Sequence, residues 1–477
     1  MAQSRDKKSG ARLNQARLLS SLLLVLSLVL SCLAALLFIS KRGGTALAEN
    51  TTLKEVGAAA YMALLFLMFG GYLTFQQKRI FRDAKRITIV AILITIMPWL
   101  QLVCNMLNVH ITPMLFAVML VAELVDHRMG IATAMLLAAE SALFAAEDEL
   151  FSVIAFVMCA ANAASGVTAV FALKKTSNRS GMIAAAVAGG AAGAATVAII
   201  YLIRGETARA VLTASGCVLF SDLFAGLLVT GSLTIWEHLF DIATTARLNE
   251  LLNTNNPLLK QLMYDAPGTY QHCMNVAALA EGAAEKIGAN QLLARVGAAY
   301  HDVGKLRRPQ YFKENQQGEN IHDTLPPQES ASIIISHQKD GATILAKNKL
   351  PGDVIRIAAE HHGNSLMAYF YHKASEEGEA NPKNFRYTGN RPSTKEGAIV
   401  MLADCCEAAV RSLGECTAEA RENMVHRVIW SKLTDGENML SEAPLTIADI
   451  SDIERSFLRT FGGLMHDRIE YPQEKKE

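Results

Sequence analysis

The stretch LLSSLLLVLSLVLSCLAALLFIS occupies residues 18–40 and contains no charged side chain. A helix of about 20 apolar residues crosses the roughly 30 Å hydrocarbon core of a bilayer, so this stretch predicts a membrane span. Similar apolar runs continue up to residue 236, and two of them, at 111–125 and 129–146, are short enough to form a broken or re-entrant pair instead. The sequence predicts eight spans in all, at 18–40, 56–75, 87–107, 111–125, 129–146, 150–173, 182–203 and 211–236.

The composition of the whole chain averages two unlike halves. Among 477 residues, 51% are apolar and 19% are charged, and 45 Lys and Arg balance 45 Asp and Glu. This apolar content excludes a disordered chain, and a zero net charge does not favour DNA as a partner. We predict four segments: a cytoplasmic N-terminus at 1–17, a transmembrane domain at 18–236, a connecting helix and linker at 237–260, and a soluble domain at 261–477.

Basic residues between the spans predict the orientation. Lys and Arg cluster before residue 18, at 78–86 and at 174–179, and the positive-inside rule places these segments in the cytoplasm. The acidic run at 147–149 then lies outside, and eight spans return the chain to the cytoplasm. The sequence Ala-Leu-Ala at 46–48 resembles a signal-peptide cleavage site, but the preceding apolar stretch is longer than a signal peptide uses, so an uncleaved anchor is favoured. Cleavage would leave seven spans and the same cytoplasmic soluble domain.

Three acidic residues fall within the predicted spans, namely Glu123, Glu140 and Asp222. Carboxylates are costly in hydrocarbon and should face protein or a water-filled cavity. They are therefore either part of a ligand or ion sensor or buried hydrogen-bond partners between helices.

The half that follows residue 236 shows helical periodicity and almost no strand pattern. A connecting helix is predicted at 241–253, and such a helix is compatible with a homodimer. The fold class is therefore all-α, a multi-span helical membrane domain followed by a helical bundle. The bundle helices are predicted at 270–287, 290–303, 328–347, 352–362, 395–413, 418–432 and 446–467.

Ten of the twelve histidines lie in this second half, and five of them form an ordered set with two aspartates. Imidazole and carboxylate together suit first-row divalent ions. Seven such groups exceed what one ion uses, whereas two ions about 3.5–4 Å apart that share a carboxylate would use all of them. The set is His272, His301, Asp302, His337, His361, His362 and Asp404.

The segment 363–395 separates the paired histidines from Asp404, and we interpret it as a loop rich in aromatic residues. Its aromatic rings and Arg386 are suited to stacking on nucleotide bases and to binding phosphate. The alternative is that the rings only pack against the domain. The candidate substrate contacts are Tyr270, Tyr369, Tyr371, Arg386 and Tyr387.

Several segments together resemble one family, the seven-transmembrane HD-domain proteins, which are membrane-anchored hydrolases of cyclic di-AMP. Besides the multi-span region, they are GTYQH at 268–272, HDVGK at 301–305, EHHGNSLMAYFYHKA at 360–374, FRYTGN at 385–390 and EGAIVMLADCCEAAVRS at 396–412. The resemblance implies that 261–477 is an HD phosphohydrolase domain, a helical bundle around metals. It also implies a multi-pass protein of the cell membrane with this domain in the cytoplasm. Family members usually carry a large extracellular domain after the first span, whereas the connection at 41–55 is too short for one.

The resemblance also implies roles for the seven residues. One ion would be held by His272, His301, Asp302 and Asp404, and the other by Asp302, His337, His361 and His362. The ions would be iron or manganese, with Asp302 as the bridge, and a bridging hydroxide would open cyclic di-AMP to linear pApA. Lys305 follows His301 by four residues and would offer its ammonium group to a phosphate oxygen; the alternative is a solvated helix lysine.

Three other functions remain as alternatives. Hydrolysis of cyclic di-GMP belongs to a related group that has a GYP tripeptide, whereas His362 is followed by Gly363-Asn364-Ser365. Other nucleotide phosphohydrolases, such as those acting on (p)ppGpp, have a simpler metal set that would leave His337 unexplained. A membrane receptor whose HD domain only binds nucleotide would tolerate the loss of a ligand, but all seven positions are filled.

Overall fold

The computed structural model describes residues 2–41, 51–145, 152–176, 178–378, 380–414, 417–434 and 438–464. The predicted cleavage site at 46–48 and the acidic connection at 147–149 lie outside these residues. Most of the described residues lie in helices. The only β-type pairing among them is an isolated bridge between Leu366 and Arg386. The all-α prediction is therefore confirmed. The chain divides into two compact units, Met1–Ala246 and Arg247–Glu477, which we call the membrane unit and the soluble unit.

Six helices of the membrane unit are long and apolar enough to cross a bilayer: α1, α2, α4, α7, α8 and α9. The helices are α1 (Ala2–Lys41), α2 (Thr51–Phe75), α3 (Lys78–Phe81), α4 (Ala84–Cys104), α5 (Met114–Leu124), α6 (His127–Phe144), α7 (Val153–Leu173), α8 (Arg179–Ile203) and α9 (Ala208–Phe240). These segments make the chain a multi-pass membrane protein.

The helix α5 is too short to cross a bilayer alone, because its 11 residues rise only about 16 Å. Nine of these residues are buried, so α5 lies inside the unit and is not a lipid-facing span. The chain before it is held by a buried bond that the Thr112 hydroxyl donates to the Asn162 side-chain oxygen, at 2.8 Å. Protein groups thus provide a hydrogen-bond partner for the non-helical segment before α5, as such a segment within a membrane requires.

The basic segments lie at one end of the membrane unit. The Arg86 guanidinium donates to the backbone carbonyl of Val125, which ends α5, at 3.4 Å. Arg179, at the start of α8, pairs with buried Glu237 near the end of α9 at 3.2 Å. A further pair, Lys85 with Asp241 just after α9 at 3.8 Å, links these contacts, so the turns at 78–86, 125–128 and 174–179 lie at one end, which we call the basic end.

The acidic residues within the helices have different surroundings. Asp222 is buried and accepts a hydrogen bond from the Ser165 hydroxyl at 2.6 Å, which fits the hydrogen-bond alternative. Glu140 is fully buried, and neither of its carboxyl oxygens has a hydrogen-bond partner among the described residues. Glu123 is partly exposed on α5.

The segment that leads out of the membrane unit is shorter as a helix than predicted. Asp241 ends α9 in the left-handed conformation, with φ 49°, and the next helix runs over only seven residues of the predicted 241–253. The remaining helices are α10 (Thr245–Leu251), α11 (Pro257–Asp265), α12 (Pro267–Lys286), α13 (Gln291–Tyr300), α14 (Pro327–Lys347), α15 (Gly352–Glu360), α16 (Ala368–Glu377), α17 (Lys395–Arg411), α18 (Ala418–Thr434) and α19 (Ile447–Leu464).

The segment 363–395 is not entirely a loop, because α16 lies within it. Phe370 and Ala374 are four residues apart, so they share one face of this helix and pack with Ala331 of α14 and with Phe385. Burial of these apolar residues explains a helix that the surrounding Gly, Asn and Pro conceal in the sequence. A larger core joins α12, α13, α17, α18 and α19 and supports the helices that carry the predicted ligands.

Candidate metal centre

The seven predicted metal ligands come together in the interior of the soluble unit. Six of them are buried and His362 is partly exposed. His272 lies in α12, His301 and Asp302 follow the end of α13, His337 lies in α14, His361 and His362 follow α15, and Asp404 lies in α17. Residues that lie in or directly after five helices therefore form one cluster.

Three of the histidines are oriented by their own helices. In each, the ring Nδ1–H donates to the backbone carbonyl three residues earlier. The bonds join His301 to Ala298 (2.7 Å), His337 to Ile334 (2.5 Å) and His361 to Ala358 (2.6 Å). Because a carbonyl only accepts, Nδ1 carries a proton in each ring and Nε2 is the nitrogen that faces the cluster, as metal ligands require.

The Asp302 carboxylate lies between two groups of histidines. Its Oδ2 is 3.6 Å from His272 Nε2 and 3.4 Å from His301 Nε2. Its Oδ1 is 3.2 Å from His337 Nε2 and 3.7 Å from His361 Nε2. Each oxygen thus faces a different pair, which is the arrangement of a carboxylate shared by two cations.

Asp404 completes the cluster from the other side. Its Oδ1 is 3.0 Å from His272 Nε2 and its Oδ2 is 3.6 Å from His362 Nδ1. His362 therefore lies near an aspartate predicted for the other ion, and its assignment stays a prediction. In each of three groups of residues, the donor atoms lie within 4.8 Å of one another. The groups are His337, His361 and His362; His272, His301 and Asp302; and His301, His361 and Asp404.

Two atoms at the centre are polar, buried and without a hydrogen-bond partner among the described residues, His301 Nε2 and Asp302 Oδ1. Buried polar atoms are nearly always paired, so such atoms need an explanation. A divalent cation would be a partner for both. The residues present therefore fit a metal site.

The electrostatics of the cluster suit cations. Burial alone would raise the pKa of Asp302, but Lys305 and His301 hold it well below its usual range. The pKa of Asp404 is likewise well below its usual range, because the hydrogen bond from His272 Nε2 outweighs the effect of burial. Burial and the neighbouring His301 and His337 lower the pKa of His361 to about 3. Two ionised carboxylates and a neutral imidazole are the forms that bind metal.

Two other histidines hold protons when no cation is present. Burial would lower the pKa of His272, but hydrogen bonds to Asp404 and Glu407 raise it to about 9. The pKa of His301 is also raised, because Asp302 outweighs the effect of burial. A cation must displace these protons.

Glu407 belongs to the site although sequence reasoning missed it. Its Oε2 accepts from His272 Nδ1 at 2.5 Å, and its Oε1 accepts from the Asn275 side-chain amide at 3.1 Å. Glu407 thus orients His272 as the backbone carbonyls orient the other histidines. It lies three residues after Asp404 on α17, so helical spacing would have placed both on one face.

Lys305 is held between two carboxylates. Its Nζ lies 2.7 Å from Asp302 Oδ2 and 2.7 Å from Oε1 of Glu314, which the sequence had not singled out. Burial alone would lower the pKa of Lys305, but these two carboxylates raise it above its usual value. The residue lies in a 3-10 helix, Val303–Arg307, and not in an α-helix, so the predicted spacing from His301 does not apply.

The position of Gly304 explains why the HDVGK motif has a glycine there. A Cβ at this position would lie 1.9 Å from the His337 carbonyl oxygen and 2.6 Å from the Gly341 nitrogen. Only glycine lets the turn that carries Asp302 and Lys305 approach α14 this closely.

A cavity of about 430 Å³ opens on the cluster, lined by His272, Asp302 and Lys305 on one side and by aromatic residues on the other. Two of the five predicted substrate contacts, Tyr369 and Tyr387, line it. The Tyr387 ring also packs on the ring of the predicted ligand His362, with centroids 4.3 Å apart.

The other three predicted substrate contacts do not line this cavity, and their role stays a prediction. Tyr270 packs with Leu262 and Cys273 between α11 and α12. Tyr371 points to the α16 core beside Phe385, and the Arg386 guanidinium donates to the Asn364 carbonyl at 3.1 Å. Spacing along the chain could not show which face of α16 and of its flanks meets the cavity.

Two family models match the chain. Residues 52–244 match the family described as a 7TM receptor with intracellular HD hydrolase, and residues 269–409 match the HD domain. The first match begins in α2 and includes α2 and α4–α9, which are six longer helices and the short α5.

Curated relatives are similar over large parts of the chain. A cyclic-di-AMP phosphodiesterase, PgpH, of Listeria monocytogenes is 39% identical over 376 residues, which is 78% of this chain and 51% of that protein. The protein of the same name from Bacillus subtilis is 46% identical over 54% of this chain and 36% of its own length. The chain thus spans about half or less of these relatives.

Solved structures of the HD domain of Listeria monocytogenes PgpH are similar to the soluble unit. One is 48% identical and covers 44% of this chain and 100% of its own, with a TM-score of 0.43. Another, described as a complex with cyclic-di-AMP, is 47% identical over 45% of this chain, also with a TM-score of 0.43.

Proposed function

Because this chain belongs to the family of 7TM receptors with an intracellular HD hydrolase, we propose that it is a metal-dependent phosphodiesterase that opens cyclic di-AMP to linear pApA. Two relatives are named cyclic-di-AMP phosphodiesterases, which supports this substrate. The soluble unit would carry out the reaction and the membrane unit would anchor it.

The observation that carries the proposal is the position of the Asp302 carboxylate. Each of its oxygens faces a separate pair of histidine Nε2 atoms, at 3.2–3.7 Å. This arrangement supports two divalent cations, iron or manganese, with Asp302 between them. When bound, such a pair lowers the pKa of a water molecule and neutralises charge on a phosphate group.

The reaction exchanges one bond for another. A water oxygen attacks one phosphorus of the cyclic dinucleotide, and the bond from that phosphorus to the ribose 3′ oxygen breaks. The water loses a proton, the 3′ oxygen gains one, and the product carries a 5′ phosphate. One of the two negative phosphodiesters must therefore reach the metal cluster.

Three residues that line the cavity would bind the substrate or position a metal ligand. Lys305 lies at the cavity wall with a pKa raised by Asp302 and Glu314 in spite of burial, so it stays cationic and can donate to a phosphate oxygen. Tyr369 is exposed at the cavity and presents a ring on which an adenine can stack. Tyr387 is buried against His362 and would position that ligand.

The distribution of charge supports a cytoplasmic soluble unit. The turns at 78–86 and 174–179 bring their Lys and Arg to the basic end of the membrane unit, and α9 ends there too. Basic residues of short connections remain in the cytoplasm during insertion. The chain that leaves α9 would therefore leave it on the cytoplasmic side, where cyclic dinucleotides are.

The test uses the full chain purified in detergent, with metal content measured before and after loading with manganese or iron. Cyclic di-AMP, cyclic di-GMP and ppGpp are supplied separately, and products are separated by chromatography. We expect pApA from cyclic di-AMP and less turnover of the other two.

The outcomes separate the alternatives. Preferred turnover of cyclic di-GMP or ppGpp would replace the substrate while keeping the enzyme. Binding of cyclic di-AMP to a metal-loaded protein without any turnover would favour a receptor in place of an enzyme. Light scattering of the same sample would test the predicted homodimer.

A further inference from the structure

A second cavity lies at the basic end of the membrane unit, where α6 begins and α7 ends. Its volume is about 440 Å³, and it belongs entirely to the membrane unit. We call it the headgroup cavity. The metal cluster and the proposed reaction make no use of it.

Polar and basic side chains form the outer part of the headgroup cavity. Arg128 in the first turn of α6 and Lys174 at the end of α7 are exposed at its rim, and His127 lies beside them. The Nδ1 atom of His127 is buried and has no hydrogen-bond partner among the described residues. The site therefore holds one more polar group than its protein neighbours satisfy.

Apolar side chains form the inner part, one helical turn away. Ile131 follows His127 by four residues on α6, and Val170 precedes Lys174 by four residues on α7, so each lies about 6 Å along its helix from a basic or polar group. Phe171 also lines the cavity and is 57% exposed. Because α7 is one of the helices long enough to span the bilayer, an exposed Phe171 faces lipid.

The charge of the headgroup cavity matches one phosphodiester. Arg128 and Lys174 contribute two positive charges, and Asp126, which also lines the cavity, contributes one negative charge. The Asp126 carboxylate accepts from the backbone N–H of Arg128 at 2.7 Å and so caps α6. With neutral histidine, the balance is +1, and a phosphodiester carries −1.

From these features we propose that the headgroup cavity binds an anionic phospholipid. Its phosphate would lie between Arg128, Lys174 and His127, and its acyl chain would run over Ile131, Val170 and Phe171. A phospholipid matches this order, with a charged phosphate group followed by an apolar chain. The cytoplasmic leaflet, which the basic end predicts for this site, is rich in anionic lipids.

The experiment titrates the full chain in detergent with phosphatidylglycerol or phosphatidylcholine and measures bound lipid by native mass spectrometry. We expect phosphatidylglycerol to bind and phosphatidylcholine to bind far less. The double variant Arg128→Gln/Lys174→Gln should bind phosphatidylglycerol roughly 30-fold more weakly, because each basic side chain contributes about fivefold.

The matched control is Arg79→Gln/Arg82→Gln, which removes two charges from exposed residues at the same end that do not line the cavity. We expect it to bind phosphatidylglycerol as the unmodified chain does. Equal losses in the two double variants would overturn the proposal, because the attraction would then be a general effect of surface charge.

Two further measurements test the lipid identity without a change in charge. Ile131→Trp should fill the apolar part and weaken phosphatidylglycerol binding while the thermal midpoint of the chain is retained. Inorganic phosphate at millimolar concentration should not displace the lipid. Displacement by phosphate, or full binding by a folded Ile131→Trp variant, would contradict a lipid site.

Discussion

The soluble unit and the membrane unit both bury carboxylates, but they surround them differently. In the soluble unit, Asp302 and Asp404 each lie within 4 Å of several histidines, and Glu407 orients one of these. In the membrane unit, Asp222 has one neutral hydroxyl partner, and Glu140 has no hydrogen-bond partner among the described residues.

This difference shows which buried carboxylates are suited to binding metal ions. Burying a charge is costly unless cations or hydrogen-bond donors surround it. A carboxylate that keeps imidazoles and a lysine around it remains ionised and ready for metal ions, whereas one with only neutral surroundings lacks this stabilisation of its charge. The four predictions below test this contrast, from the largest expected effect to the smallest.

The largest effect is expected from Asp302. We predict that Asp302→Asn, which keeps the size of the side chain, abolishes metal retention and hydrolysis of cyclic di-AMP, because the amide cannot bridge two cations. Metal analysis and product chromatography on the full chain check this. Asp222→Asn is the matched change in the membrane unit and should keep both properties; loss of metal in that variant would break the comparison.

A smaller effect is expected from Glu407. Glu407→Gln should weaken metal binding or activity by about 10–100-fold, because a neutral amide is a weaker acceptor for His272 and its single oxygen cannot accept from both His272 and Asn275. A metal titration of the purified chain measures the change. The control is Glu281→Gln, which breaks a surface pair with Arg295 and should leave the metal affinity unchanged.

The protons on the metal-free histidines predict a pH dependence. Because the pKa of His272 is raised to about 9, this ring is protonated at neutral pH, and a cation must displace the proton. Metal affinity should therefore rise with pH up to about 9, by about tenfold per pH unit for one displaced proton. Calorimetric titrations in two buffers of different ionisation enthalpy would count released protons. Equal metal affinity at pH 6 and pH 8 would contradict the assignment.

The smallest effect is expected from Glu140. Glu140→Leu should leave metal content and turnover within about twofold, since distant sites act independently. The thermal midpoint should not fall, because an apolar group of similar size replaces a polar group that lacks partners. A tenfold loss of turnover would instead show that this carboxyl acts on the soluble unit.

Much of the fold was predictable because hydrophobic length and periodicity are local properties. The long spans and most helices of the soluble unit follow from such patterns. The exceptions depend on tertiary contacts: α5 is short because buried protein groups satisfy the chain before it, and α16 forms because Phe370 and Ala374 pack against α14.

The site was predictable to a similar extent. The predicted ligands could be named because His and Asp recur in motifs, and they do converge. Glu314 could not be named, since it lies in a 3-10 turn with no periodic pattern, and its role depends on Lys305 lying beside it. Composition does not show which way a ring points, so the packing of Tyr270 and Tyr371 against apolar neighbours could not be predicted.

By itself the sequence determined the chemical types: apolar stretches of membrane length, basic connections between them, and an ordered set of imidazoles and carboxylates. Only the tertiary structure decided which oxygen of Asp302 faces which histidine, that Glu407 orients His272, and that the start of α6 and the end of α7 line one cavity. The reason is physical. Residue type and local period depend on the chain alone, whereas distances of a few ångströms between residues far apart depend on how helices pack and which rotamers that packing allows.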